Sequence, residues 1–276
     1  MINNLHAELQ RTTIRDEQKS LDHYADLLPP QGFESVAAER TYLKQRLAGA
    51  FRIFGHLQYN EGVAGHISVR DPERRDHFWV NPIGMHFSLI KSSDLVLVNH
   101  DGQVVEGRGL VNTAAFAIHS RLHANHEDIN AVAHSHSPYG RAFSALGEKL
   151  EPISQDACIF YENHALYSHF QGVVEDTSEG DEISEALGDK PAAILQNHGL
   201  ITVGSSVDIA VGTFLAMESA CQSQLLASAA GKPIAVDHET AIKTRAYNAS
   251  ELARWAGFQP LYQLMVHKDN SFQDEG

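Results

Sequence analysis

Short β-patterned runs, each closed by a turn signal, alternate with helical stretches along most of this chain, and that mixture narrows the possible folds more than any other feature. Gly65-His66-Ile67-Ser68-Val69-Arg70 and His77-Phe78-Trp79-Val80-Asn81 bracket a loop holding Asp71-Pro72. Leu95-Val96-Leu97-Val98 and Gln103-Val104-Val105-Glu106 flank Asn99-His100-Asp101-Gly102, a hairpin signal. Further strands are predicted over 129–134, 192–196 and 200–203. Between them lie helices. Leu43, Leu47, Ala50, Phe51, Phe54 and Leu57 share one face of a helix over 36–58, with Ser35 as N-cap. Other helices are predicted over 113–125, over 139–146 closed by Gly147, and from the capping-box-like Ser178-Glu179-Gly180-Asp181 to Gly188. Two more run over 207–230, ending at Gly231, and over roughly 239–255. The expected architecture is α/β with a central, largely antiparallel sheet.

The breaker cluster Leu28-Pro29-Pro30-Gln31-Gly32 sets residues 1–34 apart as an N-terminal arm, leaving 35–276 as one domain with a C-terminal helical segment. With 276 residues, 43% hydrophobic and 20% charged, the chain can bury a substantial core and is not of disordered composition. No apolar run approaches the ~18 residues of a membrane span, and residues 1–10 lack the basic-then-apolar pattern of a secretory signal. Cys158 and Cys221 are too few for a disulfide framework, so a reducing cytoplasm is expected. Twenty-one basic against 35 acidic residues, a net charge of -14, argue against a nucleic-acid surface. The expected partner is a small molecule.

Seventeen histidines remain to be sorted. In Ala133-His134-Ser135-His136-Ser137, a strand reaching 136 would send His134 and His136 to one face just before Pro138. Two imidazoles so placed can grip one divalent ion, although a His-X-His can equally be the polar end of a strand. A third ligand is available in Gln196-Asn197-His198-Gly199-Leu200, where Gly199 lets the backbone bend between two apolar runs. Three protein ligands leave positions for water or substrate, as in catalytic sites. His56, His77, His123, His126, His169 and His267 read as solvated or boundary residues; His66, His86, His100, His119, His164 and His238 stay open. The cysteines lack metal-binding spacing, and Gly102, Gly107 and Gly109 do not form a nucleotide loop.

The ordered set Gly65-His66-Ile67-Ser68, Asn81-Pro82-Ile83-Gly84, Glu106-Gly107, His134-Ser135-His136 and Asn197-His198-Gly199-Leu200 resembles the class II aldolase/adducin family over roughly 40–230. The resemblance implies a three-layer α/β/α fold, a homotetramer with sites between subunits, and one divalent metal per subunit (zinc, iron or manganese) on His134, His136 and His198. Adducin itself, the non-enzymatic branch, lacks that histidine set. The sequence also departs from the sugar-phosphate aldolases. His66 replaces an asparagine, and Asn81-Pro82-Ile83-Gly84 replaces Thr-Pro-Thr-Gly. Thr113 and Ala114 stand for two phosphate-binding serines, and Ala115 stands for the catalytic glutamate. An alanine cannot exchange a proton, and fewer hydroxyls mean fewer donors to a phosphate.

The resemblance therefore implies a metal-dependent lyase. It would break a C–C bond of a small, non-phosphorylated oxo- or hydroxy-carboxylic acid by decarboxylation or retro-aldol cleavage, through a metal-stabilised enolate. An iron-dependent oxygenase acting on an aromatic 2-oxo acid, as in aminocoumarin synthesis, is the enzymatic alternative; a metal-free adducin-like binding module is the other. Candidate substrate-binding residues are His66, Gly84 and Thr113, and candidate catalytic groups are His86, Gln155, Tyr161 and Glu162, with Asp156 and His164 nearby. Ser154-Gln155-Asp156 could instead cap a loop, and Phe160-Tyr161 could belong to the core. An arm carrying Leu21, Tyr24, Leu27 and Leu28, and a tail carrying Trp255, Phe258, Leu261, Tyr262 and Leu264, offer apolar surface that either a neighbouring subunit or the chain itself must cover.

Overall fold

Ser35 starts the first described helix: its backbone is extended, and its side chain accepts a hydrogen bond from the Ala38 N–H. The helix that follows, α1 (Val36–His56), buries Leu47, Ala50, Phe51 and Phe54 completely, as its periodicity requires. The computed structural model describes residues 29–30, 32–172 and 177–274, with only the backbone of 114 and 115. The arm over 1–34, with its leucines and Tyr24, falls almost wholly outside the described residues, as does the side chain at 115.

Four strands follow: β1 (His66–Arg70), β2 (Phe78–Val80), β3 (Val96–Val98) and β4 (Val104–Glu106). The β3–β4 reversal forms as its residues dictate. Asn99 Oδ1 accepts from the N–H groups of Asp101 and Gln103, and Gly102 takes φ 79°. Then come α2 (Thr113–Asn125), β5 (Ala131–Ser135), α3 (Pro138–Ser144), β6 (Ala165–Tyr167), α4 (Ser178–Leu187), β7 (Ala192–Leu195), β8 (Gly199–Gly204) and α5 (Val207–Ala230). Last come α6 (His238–Asn248) and α7 (Glu251–Lys268), with a 3-10 turn over Asn270–Gln273 closing the described chain.

The strands form one sheet in the order β4-β3-β2-β1-β5-β8-β7-β6, antiparallel except for the β6–β7 pair. Alternation along each strand divides the molecule into three layers. Ile67, Val69, Ala131, Ala133 and Leu200 face a core shared with α1, α3, α5 and α7. Val132, Ala193, Leu195 and Ile201 face the other way, onto α2 and α4. Residues His66, Ser68 and Arg70 of β1, and His134 of β5, point to this second layer because they fall on the alternate positions.

Three sequence expectations change. The strand β6 was not foreseen: three residues paired in parallel with β7 carry no hairpin signal. The final helix over 239–255 is two helices, because the Ser250 side chain accepts from Ala253 N–H and restarts the spiral. The second continues through Pro260, held by the buried faces of Trp255, Phe258, Tyr262 and Met265. Trp255, Phe258 and Tyr262 of the tail thus pack on this chain, whereas Leu264 is exposed. Ser178 is the first residue of α4 rather than its cap; Thr177 holds that place without a side-chain cap bond. Both cysteines are buried and free, and among the described residues no helix is long and apolar enough to cross a membrane.

Candidate metal centre

His134 lies next to the end of β5, opposite His66 of β1 and beside β8, in the middle of the sheet. Its Nδ1–H donates to the Leu200 carbonyl at 2.8 Å. That bond fixes the tautomer and leaves Nε2 bare. The strand stops at Ser135, one residue beyond the predicted 129–134 but short of His136, so His136 is placed by the corner that follows. The corner is rigid: the buried Glu218 carboxylate of α5 accepts from the Ser137 hydroxyl and from the N–H groups of Tyr139 and Gly140 at 2.8 and 2.6 Å. Burial pushes the Glu218 carboxyl above its ordinary range.

His198 arrives from the tight turn between β7 and β8. Asn197 takes φ 59° there, and a Cβ on Gly199 would come within 3.0 Å of the Ser135 carbonyl oxygen. Glycine is what lets this turn approach β5 closely enough for its imidazole to join the other two. The ring centroids of His134, His136 and His198 are 4.8–5.2 Å apart. One ligand atom from each lies within 4.8 Å of the others.

All three are held neutral, the form a divalent cation needs. Burial, then the neighbouring His198, takes His134 well below its usual pKa. Burial, then Arg141, lowers His136, and burial, then His136, brings His198 down to about 4. Three neutral, convergent imidazoles, one with its tautomer fixed by a backbone carbonyl, suit a borderline divalent ion such as zinc or iron(II). They line a pocket of about 380 Å³ together with His66, Val63, Asn112, Arg141, Phe170 and Asn197.

The other sequence candidates scatter. His66 is on the pocket wall, 4% exposed. Thr113 opens α2 next to the pocket residue Asn112, and Gly84, φ 84°, is an exposed turn residue. His86 is exposed and bonded locally: Nδ1 accepts from Ser88 N–H, and Nε2 meets the Asn60 amide at 2.8 Å. Tyr161, Glu162 and Gln155 gather against α6. There the Tyr161 hydroxyl meets His238 Nδ1 at 3.0 Å, Glu162 is 3.9 Å from the same nitrogen, and the Gln155 carbonyl accepts from Asn248. None of the three lines the histidine pocket of its own chain. His164 is committed to packing, accepting from Leu150 N–H and donating to the Phe160 carbonyl. His123, read as a boundary residue, is buried at 5% exposure against Ser68.

Arg141, Phe170, Asn112 and Asn197 are pocket residues that sequence reasoning passed over. Arg141 had a signal, since it lies one turn into the helix that follows the histidine pair. Phe170 had none.

The model of the class II aldolase and adducin N-terminal domain matches residues 45–225. This chain belongs to the class II aldolase/adducin family. Over 242 residues it is 43% identical to Decarboxylase NovR of Streptomyces niveus, covering 87% of this chain and 90% of the relative. Over the same length it is 42% identical to the 4-hydroxy-3-prenylphenylpyruvate oxygenase/4-hydroxy-3-prenylbenzoate synthase of Streptomyces roseochromogenus subsp. oscitans, covering 87% of each. Among solved structures, L-fuculose 1-phosphate aldolase from Glaciozyma antarctica PI12 superposes with a TM-score of 0.81 at 44% identity, covering 87% of this chain and 94% of that one. The three-layer fold with its central, mostly antiparallel sheet is that of the class II aldolases.

Proposed function

We propose that this class II aldolase family member is a divalent-metal-dependent lyase. It would cleave a C–C bond of a small, non-phosphorylated oxo- or hydroxy-carboxylic acid, by decarboxylation or retro-aldol cleavage. The observation that carries the reading is the convergence of His134, His136 and His198 on one open pocket. A divalent ion held there would supply Lewis-acid polarisation of a carboxylate or carbonyl oxygen.

The chain's own groups suit such a substrate. Arg141 brings a guanidinium fork to the pocket, matched to a carboxylate, and Glu61 holds it in place from outside. Phe170 and Val63 provide apolar wall for the rest of the molecule, and the amides of Asn112 and Asn197 supply polar contacts. Alanine at position 115 removes the carboxylate on which the sugar-phosphate aldolases rely, which supports decarboxylation over sugar-phosphate cleavage. The decarboxylase relative supports the same choice; the aldolase structure at 44% identity is the competing precedent.

A second reading, an iron-dependent oxygenase acting on an aromatic 2-oxo acid, is favoured by the relative named as an oxygenase. We also propose a homo-oligomer, a tetramer with the pocket near a subunit boundary. In that arrangement Gln155, Tyr161 and Glu162 would act on a neighbour's pocket. Elemental analysis of the purified protein, an oxygen electrode, CO2 release from a panel of aromatic and aliphatic 2-oxo and 2-hydroxy acids, and light scattering test these points together. Zinc or manganese with oxygen-independent CO2 release supports the lyase, and iron with oxygen uptake supports the oxygenase. Brisk cleavage of L-fuculose 1-phosphate overturns the non-phosphorylated substrate, and a mass near the 30.4 kDa of one chain overturns the oligomer.

A further inference from the structure

Behind the pocket wall, three polar side chains form a buried line that the proposed lyase chemistry does not use. Ser68 of β1 has its hydroxyl 2.7 Å from His119 Nδ1 and 2.9 Å from His123 Nε2. The two histidines are one turn apart on α2 and are 1% and 5% exposed. His66, two residues before Ser68 on the same strand face, has its ring centroid 4.4 Å from that of His119 and 5.0 Å from that of His134. Three nitrogens here are buried without a hydrogen-bond partner: Nδ1 and Nε2 of His66, and Nε2 of His119. Orphaned buried polar atoms are costly and call for an explanation.

The proton positions along the line follow from one fixed point. The Ile129 carbonyl can only accept, so His123 Nδ1, 3.3 Å away, carries the hydrogen. Burial and the nearby Arg70 guanidinium hold His123 neutral, so its Nε2 is a bare acceptor. The Ser68 O–H therefore donates to His123, and the Ser68 oxygen accepts from His119 Nδ1–H. A neutral His119 with its hydrogen on Nδ1 has a lone pair on Nε2, with no partner and with the His66 ring beside it.

We propose that His119 is a positioning residue: its Nε2, kept bare by the Ile129 carbonyl acting through His123 and Ser68, accepts the ring N–H of His66. This turns the other His66 nitrogen to the pocket as a hydrogen-bond acceptor for substrate. The two rings lie 4.4 Å apart at 61°, and in the proposed arrangement the His66 ring turns about its Cβ–Cγ bond to bring one N–H to His119 Nε2, which would satisfy two of the three orphaned nitrogens. The third then serves a donor on the ligand. The site so built prefers an acid that carries a hydroxyl beside the carboxylate, a 2-hydroxy acid or the enol of a 2-oxo acid, over one with only acceptors there. This assignment of ligand class rests on reading the histidine pocket as the active site; the hydrogen positions do not.

Neutron diffraction from crystals of the full chain grown in D2O reads the line directly. Deuterons are expected on Nδ1 of both His123 and His119 and on Ser68 Oγ directed at His123, with none on His119 Nε2 and a His66 N–D aimed at that atom. A deuteron on His119 Nε2, or a His66 ring with neither nitrogen turned to His119, overturns the proposal. Calorimetry on the zinc-loaded protein tests the consequence with mandelate and benzoylformate as probes. Ser68→Ala, which frees the His119 tautomer, should weaken mandelate about tenfold, the worth of one such hydrogen bond, and leave benzoylformate unchanged. His119→Gln, whose amide oxygen can stand in for the acceptor, should retain mandelate binding. Equal weakening of both acids by Ser68→Ala, with unchanged zinc content and melting temperature, overturns the acceptor role. Failure of both acids to bind the unaltered protein overturns the active-site reading instead, while the neutron map still decides the hydrogen line.

Discussion

Asp71 follows β1, and its side chain is entirely buried, yet it remains a carboxylate. Burial alone would raise its pKa, but it accepts from Arg40 at 2.7 and 3.0 Å, from the N–H groups of Glu73 and Arg74, and from Trp79 Nε1 at 2.9 Å. These donors hold the carboxyl well below its usual range. A folded pKa below the unfolded one stabilises the fold at every pH above the ordinary carboxylate value of about 4. That stabilisation is lost as pH falls from there through the depressed folded value. Asp71→Asn is thus expected to lower the melting temperature at pH 7 and to flatten its dependence on pH below about 4, as scanning calorimetry would check. Asp71→Ala, which strands the Trp79 and Arg40 donors, is expected to cost more, about 3–5 kcal/mol in urea unfolding. Single residues of the pocket divide in a similar way between those a reader of the sequence can find and those he cannot. His134, His136 and His198 announce themselves through spacing and turn chemistry. Ser68, His119 and His123 do not, because their bonds join a strand to a helix far from it in the chain. His86, Tyr161 and Glu162 looked reactive because their types are reactive, and type carries no information about direction.

Helices α5 and α7 meet at a point where no side chain fits. A Cβ on Gly212 would lie 2.0 Å from the Arg254 carbonyl oxygen, a backbone atom that cannot step aside. Gly212→Ala should therefore push the two helices apart and lower stability by about 2–3 kcal/mol, despite the gain in helix propensity. Chemical denaturation measures this, and a variant as stable as the parent would mean that the helices slide past each other freely. Gly199→Ala should act differently. Its added methyl meets the Ser135 carbonyl at 3.0 Å, next to the imidazoles, so metal content should fall by more than stability does. Elements of strong local pattern were legible in sequence: α1 from its apolar stripe and Ser35 cap, the β3–β4 hairpin from Asn99 to Gly102, α5 from its unbroken run to Gly231. β6 was not, since three residues in parallel pairing owe their conformation to β7. The restart at Ser250 was hidden inside a helix predicted over 239–255, and packing of Trp255 and Phe258 carries the second helix on through Pro260.

On the scale of the whole molecule, the two ends of the sheet do different work. The imidazoles collect where β1 and β8 begin and β5 ends. Across the sheet, beyond the end of β8, Arg46 of α1 grips Asp208 of α5 through two bonds of 2.9 and 2.8 Å, bonds Gln259 of α7, and lies 3.7 Å over the Tyr262 ring. Three helices of one layer are thus tied by one buried guanidinium. Arg46→Ala leaves Asp208 buried without its partner and should cost about 3–5 kcal/mol, while the metal content of the protein that remains folded stays the same. Loss of metal in step with stability would mean the two ends are coupled. The placement of the imidazoles has a further consequence, for kinetics. His134 and His136 come from the β5 side and His198 from the turn that starts β8, so a three-nitrogen site exists only once those two strands lie together in register. Such distant pairings form late compared with helices. Cobalt added to refolding protein should develop its visible absorption after the far-ultraviolet helical signal has risen, so the colour of a metal ion would time the closing of the sheet at its centre.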